Sequence, residues 1–528
     1  MIAQSLERAT QRRATERRNR NQFAGAMVNR LNLDWITSIM SADQELRSSL
    51  WRLRSRSREL AANDPYMAGF VRKAMINIVG PEGMKLQAKV RKQRSRPGYS
   101  PLNEDLNDAL EDAWERWGQM ETASLDQKAT WTDHQEMYVR SLIVDGEVLY
   151  RKIRDVSNPF GYTLQQLDPD QLDANYTDFV MPTGNRIIMG IEMDERGRNI
   201  AYWIWDRHPN DAYFGPRKHL RVPADEIIHD FIPWRVNQYR GIPWATPTLV
   251  GLNMLRGYRE AEVIRARADA AAGGFIETEF GEALDPDTVM PGDDAEEKAP
   301  SLDMQPGIFP RLGPGEKFNA FAPNHPSGNY GPFLKASLHE IACALGMAYH
   351  NFAGDLEGVN YSSARVGELA ERDGWRWMQR RMRDHFCRPI SKGWLEMAQL
   401  TGWFTLPNYD YAAYASKLVW RGRGWDWVDP EKDIKASILA IDNSLTTWDA
   451  VLAEQGKDFD ETAEELAENL KRLEELKIKL PLGLTSQATT KSTTGETANE
   501  GKTGDGGGES GGAAKGKPKT PPADDATD

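Results

Sequence analysis

Residues 331–400 read GPFLKASLHE IACALGMAYH NFAGDLEGVN YSSARVGELA ERDGWRWMQR RMRDHFCRPI SKGWLEMAQL, and their reading decides the fold. Pro332 suits the first position of a helix, where its missing N–H and fixed φ cost nothing. Leu334, Leu338, Ile341 and Leu345 then recur at the spacing of one buried stripe, and Gly346 is placed to end it. From Tyr349 to Tyr361 the period is lost among Gly354, Asp355, Gly358 and Asn360, the composition of a polar turn. Ser362 is placed to cap a longer helix with Val366, Leu369, Trp377, Met378, Met382 and Phe386 on one side. Pro389 ends or bends that helix, and a further one carries Trp394, Leu395 and Met397. Two helices around a glycine-punctuated turn make a framework rather than a catalytic pocket.

Upstream, Thr246-Pro247 opens a helix that runs to about Ala272 and closes at Gly273-Gly274. Its first half has an apolar stripe at Leu249, Leu252, Leu255 and Tyr258. Its second half sets alanines between Glu262, Arg265, Arg267 and Asp269. So small and charged a surface fits either close packing beside copies of itself or an ordinary exposed helix end. Residues 275–328 then intervene, with strand candidates at Gly274–Phe280, Gly307–Arg311 and Lys317–Phe321 and an acidic loop at Asp293, Asp294, Glu296 and Glu297. Two long helices joined by a small β-rich excursion place that excursion at the far end of a stalk.

The flanks read as α+β. Asp43–Ala62 is helical, Asp64-Pro65 starts a second helix that Gly80–Gly83 ends, and Asn103 caps a third lined by Leu106, Leu110, Ala113, Trp114 and Trp117. A helix over Asp133–Val144 precedes strands at Glu147–Arg154, Thr163–Leu167, Ile187–Met193, Ile200–Trp205 and Glu226–Ile232, with a hairpin turn at Asp194–Gly197. That is a mostly antiparallel sheet. Trp403–Trp427 is aromatic and irregular, while Asp433–Ile441, Thr447–Gln455 and Glu461–Leu480 are helical. From Pro481 the composition is too polar to bury a core.

The net charge of −12 is unevenly spread: residues 1–100 hold 20 Lys and Arg against 8 Asp and Glu, and the remainder holds 46 against 70. A basic arm on an acidic body permits contact with nucleic acid but does not grip phosphates along its whole surface. Two cysteines exclude a disulfide scaffold and favour a reducing compartment. No apolar run approaches bilayer-crossing length and no apolar signal core stands at the N-terminus, so no membrane partner is expected. The 17 Trp suit large inter-element or inter-subunit contacts, with a core role the default for each.

Catalytic patterns are absent. His339-Glu340-x-x-Cys343 matches only half of a zinc motif and lies within the apolar stripe. Gly508-Glu509-Ser510-Gly511-Gly512 fits a nucleophile elbow by letter, yet has neither strand before it nor helix after. The spacing from Gly495 to Gly501-Lys502-Thr503 is one residue too long for a P-loop. His385 and Cys387 point apart on a helix. No enzyme, cofactor or metal is expected.

Several stretches resemble the lambda-type bacteriophage portal proteins, over roughly residues 35–480. They include Arg58-Glu59-Leu60, Asn63-Asp64-Pro65-Tyr66, Ser141-Leu142-Ile143-Val144-Asp145-Gly146-Glu147, Leu167-Asp168-Pro169-Asp170-Gln171-Leu172 and Arg240-Gly241-Ile242-Pro243-Trp244. The most telling are Gly328-Asn329-Tyr330, the run from Gly354 to Ser363, and Trp425-Asp426-Trp427-Val428-Asp429-Pro430. The resemblance implies a mainly helical α+β portal fold with wing, two-helix stem, β-rich clip and helical crown-like part. Its divisions would be a basic flexible arm (1–42), wing (43–246), stem helix (247–274), clip (275–328), second stem helix (329–347), channel loop (348–361), wing long helix and aromatic segment (362–430), crown-like region (431–480) and disordered tail (481–528).

The same resemblance implies a cyclic homo-oligomer of about twelve subunits at one capsid vertex. It would be the channel for packaging and ejecting double-stranded DNA, which passes without sequence preference. The implied partners are the terminase large subunit, the head–tail connector protein, and the major capsid and scaffolding proteins. The implied location is the virion, after assembly in the host cytoplasm. His350, Asn351, Asp355, Glu357 and Asn360 become channel-loop candidates, Glu262, Arg265, Arg267 and Asp269 ring-interface candidates, and Asp293, Asp294, Glu296 and Glu297 docking candidates. Another virion structural or connector protein is the alternative.

Overall fold

The computed structural model describes residues 39–92, 102–179, 181–211, 216–270, 274–278, 316–320, 328–408, 410–427 and 429–476. The basic arm before residue 39, the strand candidate Gly307–Arg311, the acidic loop with Asp293, Asp294, Glu296 and Glu297, and the tail lie outside them. A division after Phe459 separates two units. In the first, α1 (Ala42–Asn63) and α2 (Pro65–Ile78) meet at Asp64, whose carboxylate accepts the backbone N–H groups of Tyr66 and Met67 at 3.0 Å each. That cap, with Pro65 at the first helical position, fixes the sharp entry into α2. Among the described residues no helix is long and apolar enough to cross a membrane.

α3 (Glu104–Trp117) and α4 (Trp131–Val144) follow, the latter opened by a capping box between Thr130 and Asp133. Asn103 does occupy the cap position of α3, though its side chain makes no capping bond. Strands β2 (Glu147–Arg154), β3 (Tyr162–Leu167) and β8 (Ile227–Phe231) form an antiparallel sheet in the order β3-β2-β8. The expected strand Ile187–Met193 is instead two, β4 (Arg186–Ile188) and β5 (Ile191–Met193), because Met189 and Gly190 take positive φ and turn the chain back. With β6 (Asn199–Trp205) and β7 (His219–Pro223) they make a second antiparallel sheet, β4-β5-β6-β7.

The aromatic segment is less irregular than its composition suggested. It contains β11 (Leu418–Arg421), which pairs antiparallel with β1 (Lys85–Ala88). Trp114 gathers the core: the Trp117, Trp131, Trp394 and Trp420 rings have centroids 4.6, 5.4, 5.0 and 5.2 Å from its own. These indoles join α3, α4, β11 and the helix after Pro389, so their role is the core.

α5 (Leu249–Ala270), the pair β9 (Gly274–Thr278) and β10 (Glu316–Ala320), and α6 (Tyr330–Leu345) form the expected helix–strands–helix order. α6 begins two residues before Pro332. α7 (Tyr349–Ala353) is a short helix inside what the sequence presents as pure turn. α8 (Tyr361–Met382) is capped by Asn360 rather than Ser362, through a capping box with Ser363.

Pro389 does not end the run. A π segment, Arg383–Cys387, carries α8 into α9 (Arg388–Leu400), with the Arg388 N–H bonding to the Arg383 carbonyl. The wider turn relieves the clash that a proline ring makes with the carbonyl four residues before it. α10 (Pro430–Asp442) and α11 (Trp448–Glu454) follow, and α12 (Phe459–Glu475) belongs almost wholly to the second unit.

His134 on α4 is 1% exposed, and neither ring nitrogen has a partner among the described residues. Burial lowers its pKa from 6.5 to about 4, against the opposing pull of Asp126 and Asp133. The unfolded chain therefore binds the extra proton first, and stability falls as pH drops from 6.5 through about 4. The loss across that window is on the order of 3 kcal/mol. Urea midpoints measured at both ends should show it, and His134→Leu should flatten that part of the profile.

Candidate functional site

The segment between α6 and α8 is held at its base and open at its tip. Gly346 ends α6 at φ 76°, a left-handed conformation that glycine adopts without a Cβ clash. The Glu371 carboxylate of α8 then accepts the Ala348 N–H at 3.0 Å, the Asn351 amide at 3.0 Å and the Trp375 indole N–H at 3.1 Å. Lys73 of α2 donates to the Asn351 carbonyl. His350 lies against α8, its Cε1 3.2 Å from where a Cβ on Gly367 would sit. His350 and Asn351 thus belong to the seam beneath the loop.

Asp355 and Glu357 lie between that base and α8, whose first turn Asn360 caps. The Asp355 carboxylate accepts the Glu357 N–H at 2.9 Å and the Tyr349 hydroxyl at 2.8 Å, and pairs with Lys335 of α6 at 3.2 Å. These donors, the Glu357 N–H first, hold its pKa below the usual carboxylate range. Burial, reinforced by Asp355, pushes Tyr349 up to about 12. His339 stacks on the Tyr349 ring at 3.8 Å, which absorbs the half-motif His339-Glu340 into packing. Leu356, Glu357, Gly358 and Asn360 are exposed.

α5 has two apolar faces. Leu249, Leu252 and Leu255 are buried toward the body, whereas Val250, Met254 and Ile264 are 65, 70 and 65% exposed. At 100° per residue the second set lies on the opposite side of the helix from the first. Arg256 pairs with Glu59 at 2.6 Å and Arg259 with Asp64 at 2.8 Å, which fixes how α5 is rotated on the body. Tyr258 meets Tyr330 and Phe333 of α6 at 5.8 and 5.1 Å. Of the ring-interface candidates, Glu262 is half-buried, Arg265 and Arg267 are exposed, and the side chain of Asp269 lies outside the described residues.

α8 repeats this arrangement. The expected single stripe divides: Met378 and Met382 are buried with Trp375, while Val366, Leu369 and Trp377 face outward. The helix is apolar on opposite sides, which a count of apolar residues alone does not separate.

A buried ion network ties α1 and the Arg240-Gly241 segment to the sheets. Glu147, 0% exposed, pairs with Arg54, Arg240 and, at 3.1 Å, His229, and accepts the Gly241 N–H at 2.9 Å. Burial raises its pKa, but Arg240 and then Arg54 hold it well below the usual range. Arg54 also reaches Asp170 at 2.9 Å, and Arg58 spans Asp145, Asp168 and Asp170 at 2.6, 3.0 and 2.7 Å. The backbones cross where Gly146 (φ 84°) meets Ile242; a Cβ there would lie 2.1 Å from the Ile242 carbonyl carbon. Asp168, Asp170 and His208 offer ligand atoms within 4.8 Å of one another, but both carboxylates already pair with arginines. The Cys387 thiol is buried and its pKa raised, chiefly by that burial, which leaves it inert.

The arrangement is that of a structural subunit, with apolar faces outward, a tethered polar loop and charge spent inside the fold. Residues 28–379 match the lambda family of phage portal proteins, and the chain belongs to that family. It is 32% identical to the probable portal protein of Halomonas phage phiHAP-1 over 469 residues, covering 88% of this chain and 89% of that one. It is 21% identical to portal protein B of Escherichia phage lambda over 482 residues, covering 83% and 87%. The neck of an empty GTA particle computed with C6 symmetry aligns at 13% identity and a TM-score of 0.40, over 78% of this chain and 93% of that one. As a phage portal protein the chain is a non-enzymatic component of the virion that serves DNA packaging.

Proposed function

We propose that copies of this chain close into a cyclic ring of about twelve subunits at one capsid vertex, around a channel for double-stranded DNA. The observation that carries this is the outward apolar face of α5, Val250, Met254 and Ile264, opposite the face that the body buries. A head-to-tail ring needs each subunit to complement its neighbour, and a second apolar face on a body-packed helix supplies such a surface. The face on α8 with Val366, Leu369 and Trp377 adds to it. In this reading α5 and α6 are the stem, residues 348–361 carry the channel loop, and Asp355 and Glu357 give it a negative tip that lets phosphates slide. Glu262, Arg265, Arg267 and Asp269 lie at the seam between neighbours.

Residues 275–328 form the clip, where Asp293, Asp294, Glu296 and Glu297 meet the terminase large subunit and later the head–tail connector. Capsid and scaffolding proteins contact the wing, and assembly takes place in the host cytoplasm. Deleting residues 281–306 should spare the ring and abolish motor docking, read by imaging and by co-purification with the terminase. Rings lost together with docking contradict the clip assignment.

A further inference from the structure

A basic hollow lies away from the loop. Arg376 and Arg380 stand about one turn apart on α8, and Arg383 opens the π segment. With Gln379 and Trp420 these arginines line a cavity of about 140 Å³ that no carboxylate lines. An adjoining cavity of about 450 Å³ shares Arg376 and Trp420 and adds Arg423, with Glu454 its one acidic residue. Arg376 pairs along the helix with Asp373 at 3.1 Å, and Arg383 with Asp384 at 3.0 Å. The Arg380 guanidinium has no ion pair or hydrogen bond among the described residues. The buried Trp420 indole N–H likewise has no acceptor among them. The Trp425 ring lies 5.6 Å from the Arg376 guanidinium and holds it in place.

We propose that this hollow between α8 and β11 is an oxyanion site that takes one phosphate of a nucleic-acid backbone. A flat carboxylate is satisfied by a single arginine fork, whereas a tetrahedral phosphate presents acceptor oxygens in several directions. Three guanidiniums around one hollow match the second. Arg380, exposed and unpaired, supplies the free charge, and Arg376 and Arg383 orient the oxygens. The proposal rests on the portal reading, which brings nucleic acid to the protein.

The test is fluorescence anisotropy of a labelled duplex oligonucleotide on the full chain across about 50 to 200 mM salt. Wild type is compared with R380Q and with the variant R376Q/R380Q/R383Q. For R380Q the slope of log K against log salt should shrink by about 0.9, the loss of one phosphate contact. The triple variant should bind more weakly still, with no change in sequence preference, while R196Q on an exposed turn keeps the wild-type slope. Equal slopes in all chains overturn the proposal. So does a polyglutamate peptide that binds wild type and not the triple variant while duplex slopes stay equal, because the site would then serve a carboxylate partner. Ring formation is imaged in the same samples: rings absent with the slope change intact would contradict the portal assembly and leave the phosphate site standing.

Discussion

Glu147→Ala should destabilise the fold by roughly 3–5 kcal/mol, read as a large drop in the urea midpoint, because it strands the buried Arg240 guanidinium and leaves the buried Arg54 with Asp170 as its remaining carboxylate. Arg54 and Arg240 are 2 and 0% exposed, and both direct a nitrogen at Glu147 Oε1. Arg240 also donates to the carbonyls of Leu172, Met189 and Pro169, at 3.2, 3.0 and 3.1 Å, so it cannot swing to solvent without breaking those bonds. The loss would loosen α1, both sheets and the chain crossing at Gly146 together. Glu45→Ala, which removes a partly exposed partner of Arg235 at 3.0 Å, should cost at most about 1 kcal/mol. Equal effects of the two variants would show that the buried network is dispensable.

Met254→Glu should convert assemblies to monomers while leaving the subunit folded. Met254 is 70% exposed and lies across the helix from the buried Leu252, so the substitution leaves the body untouched. In a closed ring the new carboxylate would be desolvated at every seam without a partner, a cost of several kcal/mol each time. Mass photometry reads the assembly and circular dichroism the fold. Intact rings would place the seam elsewhere than on α5.

Much of the framework is legible in the sequence because the helices carry strong periods and plain stops. Asp64-Pro65, Gly346 and the hairpin at Asp194–Gly197 behave as their chemistry dictates. Three features are not legible. The strands β1 and β11 are four residues each and pair across more than three hundred positions, so no local pattern marks them. The division of α8 into two apolar faces needs the partner surfaces to be known, since Val366 and Met378 look alike in a list of apolar residues. The passage through Pro389 depends on a π turn, which the sequence does not signal.

The loop candidates were recognisable as a polar turn, but composition cannot tell a seam residue from a tip residue. His350 and Asn351 fall in the seam because Glu371 and Gly367 of the next helix receive them. Glu147 was visible only as a charge opening an apolar strand. What makes it central is the arrival of Arg54 and Arg240 from 93 positions away on either side.

In the proposed ring this chain is a wedge completed by its siblings. Rotationally averaged top views of the purified full-length protein test it most directly. The expected image is an annulus of about twelve identical lobes around an open centre that admits a DNA duplex. Solitary particles at every concentration, or an annulus with a blocked centre, would contradict it.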